Sequence, residues 1–168
     1  MGALFPRLVP TDFVEQNENL GWLTRKFPGD DEHELIFVEE DGAQVSFVTK
    51  STHSQTGDEL FAVGMKNLER HYLESVHEAF ETVRGGKPEM WSDEYDGLRA
   101  LLLTPLLLRP GEKFYVAHVR RESLFLLPPP PDGDLTKYKQ GAQPDEEFRP
   151  GMLRGLYWVT RDGFGPVR

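Results

Sequence analysis

Three residues at helical spacing carry the side chains that a metal site needs. Glu74, His77 and Glu81 stand at offsets of zero, three and seven, so a helix would place them on one side. Glu-x-x-His is half of the metal motif of carboxylate helical bundles, where carboxylate oxygens and an imidazole nitrogen converge on one ion. The motif occurs once here, and a solvated face with local ion pairs is the plainer interpretation. A metal-dependent enzyme is therefore an alternative hypothesis, and no metal ligand is firmly assigned.

A pair of arginines and one tryptophan are candidates for binding. Arg120 and Arg121 lie beside His118 and could receive a phosphate or a carboxylate through charge-assisted hydrogen bonds. The competing interpretation is that the arginines cap a hairpin, so a phosphate-binding module is a second alternative. Trp91 is a candidate for an interaction surface, with core packing as the competing interpretation.

The familiar catalytic signatures are missing from the sequence. It has no Gly-x-Ser-x-Gly elbow, Walker loop or dinucleotide fingerprint. The absence of cysteine excludes disulfides, thiolate zinc sites and a Cys nucleophile. His33 and His53 lie in polar sequence and are expected to face solvent. We therefore predict no catalytic residue and no cofactor, and a non-enzyme is favoured while the question stays open.

The charge is uneven along the chain. The formal net charge is −9, and the first 100 residues hold 20 acidic and 9 basic side chains against 8 and 10 in the rest. An acidic chain is a poor general binder of nucleic acid. No run approaches the roughly 18 apolar residues of a membrane span, and the N-terminus lacks the apolar segment of a secretory signal. These features predict a cytoplasmic protein without membrane contact.

The elements that must position these residues follow from local patterns. Thr56-Gly57-Asp58-Glu59 is a capping box, and apolar residues then recur every three or four positions until Gly85-Gly86. This predicts one long amphipathic helix. Before it, two β-rich runs joined around Asp41-Gly42 predict a hairpin in which Val45 and Phe47 share a face.

The second half of the chain predicts one short apolar helix and further hairpins. Leu98–Leu108 reads as a buried helix ending near Pro105, with a buried strand as the alternative. Strand pairs are expected around Arg120–Glu122 and at the C-terminus, and residues 128–150 form a Pro/Gly-rich excursion. The order predicts an α+β fold in which a largely antiparallel sheet of hairpins packs against the two helices. We expect a single domain over residues 1–168.

Several segments together resemble a known family. GDELFAVGMKNLERHY, from Gly57 to Tyr72, resembles the helix motif of the YtpQ-like family of uncharacterised bacterial proteins. In the same order, similar segments are LFPRLVP, ELIFVEEDGAQVSFVT, YDGLRALLLTP, HVRRESLFLL and RGLYWVTRDGFGPV. The resemblance runs from about residue 3 onward, without the family's additional N-terminal region. It implies an α+β fold and a bacterial cytoplasmic origin, and it transfers no catalytic residue.

These observations favour one functional hypothesis over two others. The first is a non-catalytic cytoplasmic binding or protein-interaction module whose partner is another protein. The alternatives are the metal-dependent enzyme of the long helix and the phosphate-binding module of the arginine pair. The oligomeric state is not predicted.

Overall fold

The computed structural model describes residues 2–28, 30–92, 95–120, 123–142 and 153–168, except the side chains at 119 and 120. Its contacts divide the chain into two compact units, Met1–His71 and Tyr72–Arg168. The division falls within the longest helix, so each part of that helix is described with its own unit. Helices and antiparallel sheets together confirm the predicted α+β class.

The first unit holds a four-stranded antiparallel sheet built around one central strand. The strands are β1 (Ala3–Pro10), β2 (Arg25–Lys26), β3 (His33–Asp41) and β4 (Gln44–Phe47). β3 pairs with β1 along one side, and with β2 and β4 along the other. The short helix α1 (Thr11–Gln16) and a 3₁₀ turn (Glu18–Leu20) link β1 to β2. The hairpin predicted around Asp41-Gly42 is therefore confirmed as the β3–β4 pair.

The long helix α2 (Gly57–Arg84) begins at the predicted capping box. The amide of Thr56 donates to the Glu59 carboxylate at 2.8 Å, and the Glu59 amide donates back to the Thr56 hydroxyl at 3.3 Å. Within the first unit, Leu60 of α2 joins a buried cluster with Leu4, Phe37 and Val48. Leu60, at the start of the predicted apolar stripe, therefore packs against the first sheet.

The second unit holds a five-stranded sheet in which the predicted hairpins are confirmed. Its strands are β5 (Glu89–Trp91), β6 (Lys113–Arg120), β7 (Ser123–Leu127), β8 (Leu156–Thr160) and β9 (Gly163–Pro166). Their spatial order is β5-β7-β6-β8-β9, and every pair is antiparallel. Within this unit Phe80 of α2 meets Phe114 of β6 edge to face, with ring centroids 5.1 Å apart.

The Leu-rich segment is helical, but it does not end at its proline. α3 (Asp96–Leu98) leads into a π-helical turn (Arg99–Leu103) and then into α4 (Thr104–Leu107). Pro105 lies in the first turn of α4, directly after the π-helical turn, where the regular i→i−4 hydrogen-bond pattern is already interrupted. The predicted helix is confirmed, and it ends at Leu107, two residues beyond Pro105.

Part of the Pro/Gly-rich excursion is folded back onto the second sheet. α5 (Thr136–Gly141) places Tyr138 in a cluster with Tyr115 and Leu156, and the Tyr138 hydroxyl donates to the carbonyl of Pro128 at 3.0 Å. Burial, with a smaller contribution from Tyr115, raises the pKa of Tyr138. The remainder of the predicted excursion, residues 143–150, lies outside the described residues.

In the part of the chain that the structure describes, no helix is both long enough and apolar enough to cross a bilayer.

Candidate functional site

Strand β4 lies at one edge of the first sheet, and β1 lies at the other. A two-residue turn, Gly42-Ala43, joins it to β3, and Gly42 has the positive φ of +61° that a type II′ turn requires at this position. Residues flanking such a turn exchange backbone hydrogen bonds, and bonded and non-bonded pairs then alternate along the ladder. The Val48 amide keeps this alternation by donating to the Phe37 carbonyl at 2.9 Å. The backbone N–H and C=O groups of Val45 and Phe47 therefore point away from β3.

Those outward groups have no strand opposite them in the described part of the chain, where β4 pairs only with β3. All four residues of β4 are exposed. Val45 and Phe47 are 47% and 49% exposed, although large apolar side chains usually lie inside. We call Gln44–Phe47, with its outward backbone groups and its two apolar side chains, the β4 edge.

The apolar side of the β4 edge is held by a buried tryptophan. The Phe47 ring packs edge to face on Trp22, with centroids 5.0 Å apart, and Phe13 meets the same indole at 5.7 Å. The indole N–H donates to the carbonyl of Asn17 at 2.7 Å, which fixes the ring. Phe47 therefore packs on Trp22 with one part of its ring, while about half of its surface remains exposed to a partner.

The neighbouring strand gives the β4 edge an acidic border. Glu39, Glu40 and Asp41 of β3 pair in register with Ser46, Val45 and Gln44 of β4, each carboxylate one strand away. His53 lies 3.4 Å from a Glu39 oxygen. The unit as a whole holds 13 acidic and six basic side chains, a net charge of −7. The surroundings of the β4 edge therefore favour positive charge.

A cavity of about 380 Å³ lies elsewhere in the first unit, at the start of α2. Its lining is polar, with two basic side chains and one carboxylate, and Arg25 Nε donates to the Asp58 carboxylate at 2.6 Å. The helix N-terminus is engaged too: hydrogen bonds from Thr56 lower the pKa of Glu59. These contacts engage Arg25 and Glu59 within the unit itself. The lining residues are Thr24, Arg25, Lys26, Thr56, Gly57 and Asp58.

The second unit contains a buried histidine–carboxylate pair that resembles part of a catalytic site. His118 and Asp96 are 1% and 2% exposed, and His118 Nε2 lies 3.2 Å from an Asp96 oxygen. The other ring nitrogen, Nδ1, accepts the Leu153 amide at 2.9 Å. An N–H donor at Nδ1 fixes the proton of the neutral ring on Nε2, where it is shared with Asp96. Both nitrogens are occupied, so His118 joins distant segments and has no free lone pair for use as a base.

Trp91 lies in β5 and takes part in an aromatic–arginine cluster. The guanidinium carbon of the buried Arg99 is 4.9 Å from the Trp91 ring centroid and 4.8 Å from that of Tyr72. Tyr72 in turn contacts Tyr95, with centroids 5.9 Å apart. Partial burial and these ring contacts agree with the packing interpretation of Trp91. The predicted interaction role of Trp91 stays a prediction.

The predicted metal residues lie on the exposed face of α2. Glu74, His77 and Glu81 are all exposed, and the Glu81 carboxylate accepts from Arg84 Nη1 at 2.6 Å. Among the described residues, no group of three or more His, Asp or Glu side chains is arranged to hold a metal ion. The structure therefore has the predicted helical spacing without bringing the three together as a ligand set.

The arginine pair falls at the margin of what the structure describes. Arg120 ends β6, but its side chain and all of Arg121 lie outside the described residues. Phosphate binding at this pair stays a prediction.

One buried polar pair contradicts the expectation from sequence. The polar sequence around His33 predicts a side chain facing solvent, yet His33 is 1% exposed, and its Nδ1 lies 2.5 Å from the Asp30 carboxylate. His33 is the first residue of β3 and pairs in register with Pro10 of β1. His53, by contrast, retains partial exposure beside Glu39.

Comparison with protein families, curated proteins and solved structures finds no match to this chain. The resemblance to the YtpQ-like family therefore stays a prediction, and the site is interpreted from its geometry alone.

Proposed function

We propose that this chain is a non-catalytic, cytoplasmic protein-interaction module, and that its partner adds an extended segment to the β4 edge. One observation carries the proposal: Val45 and Phe47 combine outward-directed backbone groups with half-exposed apolar side chains on the same strand. A strand with these features offers hydrogen bonds for affinity and side-chain contacts for specificity. The absence of cysteine fits a reducing compartment such as the cytoplasm, where disulfides are rare.

The His118–Asp96 pair, which most resembles a catalytic arrangement, supports this proposal because neither ring nitrogen of His118 is free to accept a proton. His118 would have to lose a hydrogen bond to Asp96 or to the Leu153 amide before it could accept a substrate proton. Losing a buried bond costs about 1–3 kcal/mol. The β4 edge requires no such rearrangement, because its groups already face outward.

Peptide selection tests the proposal and requires no assumption about the sequence of the partner. A library of random peptides is selected on the full chain, and binders are mapped by backbone amide shifts. We expect the largest shifts at Val45 and Phe47, and loss of binding in Val45→Pro, since proline removes an outward N–H without touching the ladder to β3. Val63→Ser is the matched control, because Val63 is 50% exposed on α2 of the same unit. Binders that map away from β4, or that tolerate Val45→Pro, would contradict the proposal.

A further inference from the structure

We infer that the partner segment at the β4 edge is basic, with lysine or arginine alternating with apolar residues; this inference rests on the proposed strand addition. The alternation of basic and apolar residues follows from the pleated geometry of a strand, in which successive side chains point to opposite faces. Residues directly opposite each other in an antiparallel pair share a face. Partner residues opposite Val45 and Phe47 would therefore lie on the apolar face, and the residue opposite Ser46 would lie on the other.

The face that carries Ser46 also carries two carboxylates. Ser46 is in register with Glu39 and Gln44 with Asp41, so all four side chains project from the same side of the hairpin. An added strand would run about 9.6 Å from β3, which is two strand spacings. A lysine or arginine on that strand can lay its long stem across β4 and bring its charge towards these carboxylates. A glutamate there would face like charge.

The opposite face adds a third carboxylate at its border. Glu40 is in register with Val45, so it lies beside the apolar side of the β4 edge. Lys50 follows β4 and His53 borders Glu39, so the local charge is not purely negative. Three carboxylates at the end of one strand, within a unit of net charge −7, leave the surface acidic.

The same charge disfavours a second copy of this chain as the occupant. Two β4 strands could pair antiparallel about Ser46 and place Val45 opposite the partner's Phe47. That arrangement brings together two units of net charge −7, with no added cation to offset them. A basic segment would bind the same outward backbone groups, and its positive charge would be attracted to the acidic unit that repels a second copy.

Three matched peptides test the inference on the full chain. In each, valine alternates with one other residue: lysine, threonine or glutamate. Calorimetric titration gives the affinity, and backbone amide shifts at Val45 and Phe47 give the location. We expect the lysine peptide to bind roughly three- to tenfold more tightly than the threonine peptide, from about two exposed ion pairs. The glutamate peptide should bind most weakly, and the lysine advantage should shrink as salt rises.

The outcomes separate the inference from the proposed function. Equal binding of all three peptides at β4 would overturn the basic partner and leave strand addition standing. No binding at β4 by any peptide would overturn both. Concentration-dependent dimerisation that Val45→Pro abolishes and Val63→Ser preserves would overturn the basic segment in favour of a second copy. Lysine-selective, salt-sensitive binding that is lost in Phe47→Ser would support the inference.

Discussion

Replacing Glu112 by glutamine should remove a bidentate ion pair from the second unit. Arg84, near the end of α2, donates through Nε and Nη2 to the two Glu112 oxygens, each at 2.9 Å. The same carboxylate accepts the Arg109 amide at 2.8 Å. These bonds, chiefly those from Arg84, lower the pKa of Glu112. The carboxylate thereby ties the last turn of α2 to the turn before β6.

The size of the loss follows from the burial of the pair. The Arg84 and Glu112 side chains are 15% and 21% exposed. Fully exposed pairs contribute about 0.2–1 kcal/mol, and breaking a buried pair costs about 3–5 kcal/mol. This pair lies between those limits, and Arg84 keeps bonds to Glu81 and to the Leu107 carbonyl in the variant. We expect Glu112→Gln to lower the free energy of unfolding by about 2 kcal/mol at neutral pH.

The effect should depend on pH with a definite sign. Because the folded-state pKa of Glu112 is depressed, its contribution is present above the unfolded value of about 4.3 and is lost as pH falls through the folded value. The stabilities of wild type and Glu112→Gln from urea unfolding should therefore converge progressively as pH falls from about 4.3 through the lowered folded-state value. Glu81→Gln is the matched control: Glu81 binds the same arginine but is 58% exposed, so it should cost under about 1 kcal/mol. Equal losses in both variants, or a pH-independent difference, would refute this reasoning.

Two further substitutions test buried contacts elsewhere. Gly57→Ala should destabilise by about 1–3 kcal/mol in thermal or urea unfolding, since an added Cβ would lie 2.3 Å from the Thr24 carbonyl oxygen; wild-type stability would contradict the close approach. His118→Leu leaves the Leu153 amide and the Asp96 carboxylate without their partner and should cost about 2–4 kcal/mol. Amide exchange at Leu153 should accelerate in that variant, and unchanged protection there would show that the His118 bond does not hold this segment.

Local signals make much of the fold predictable. The capping box at Thr56 and Glu59 specifies its helix end through contacts three residues apart. The turn at Gly42 specifies its hairpin because few residues adopt its positive φ. The apolar run around Pro105 correctly indicates a helix, which continues two residues past the proline to Leu107.

The candidate site is harder to predict, because it depends on contacts distant in sequence. Nothing local indicates that His118 is enclosed by Asp96, 22 residues away, and by Leu153, 35 residues away. The alternation of Val45 and Phe47 predicts a shared face, but their availability depends on β4 lying at an edge of its sheet. Strand order is set by long-range pairing, which a single sequence does not reveal.

Amide hydrogen exchange along β4, with and without the valine–lysine peptide, tests strand addition most directly. The N–H groups of Val45 and Phe47 point outward, whereas that of Ser46 is turned towards Glu39 of β3. We expect peptide binding to slow exchange at Val45 and Phe47 and to leave Ser46 nearly unchanged, a pattern with a period of two. Binding that protects all three amides alike, or that leaves Val45 and Phe47 exchanging as in the free chain, would contradict strand addition at the β4 edge.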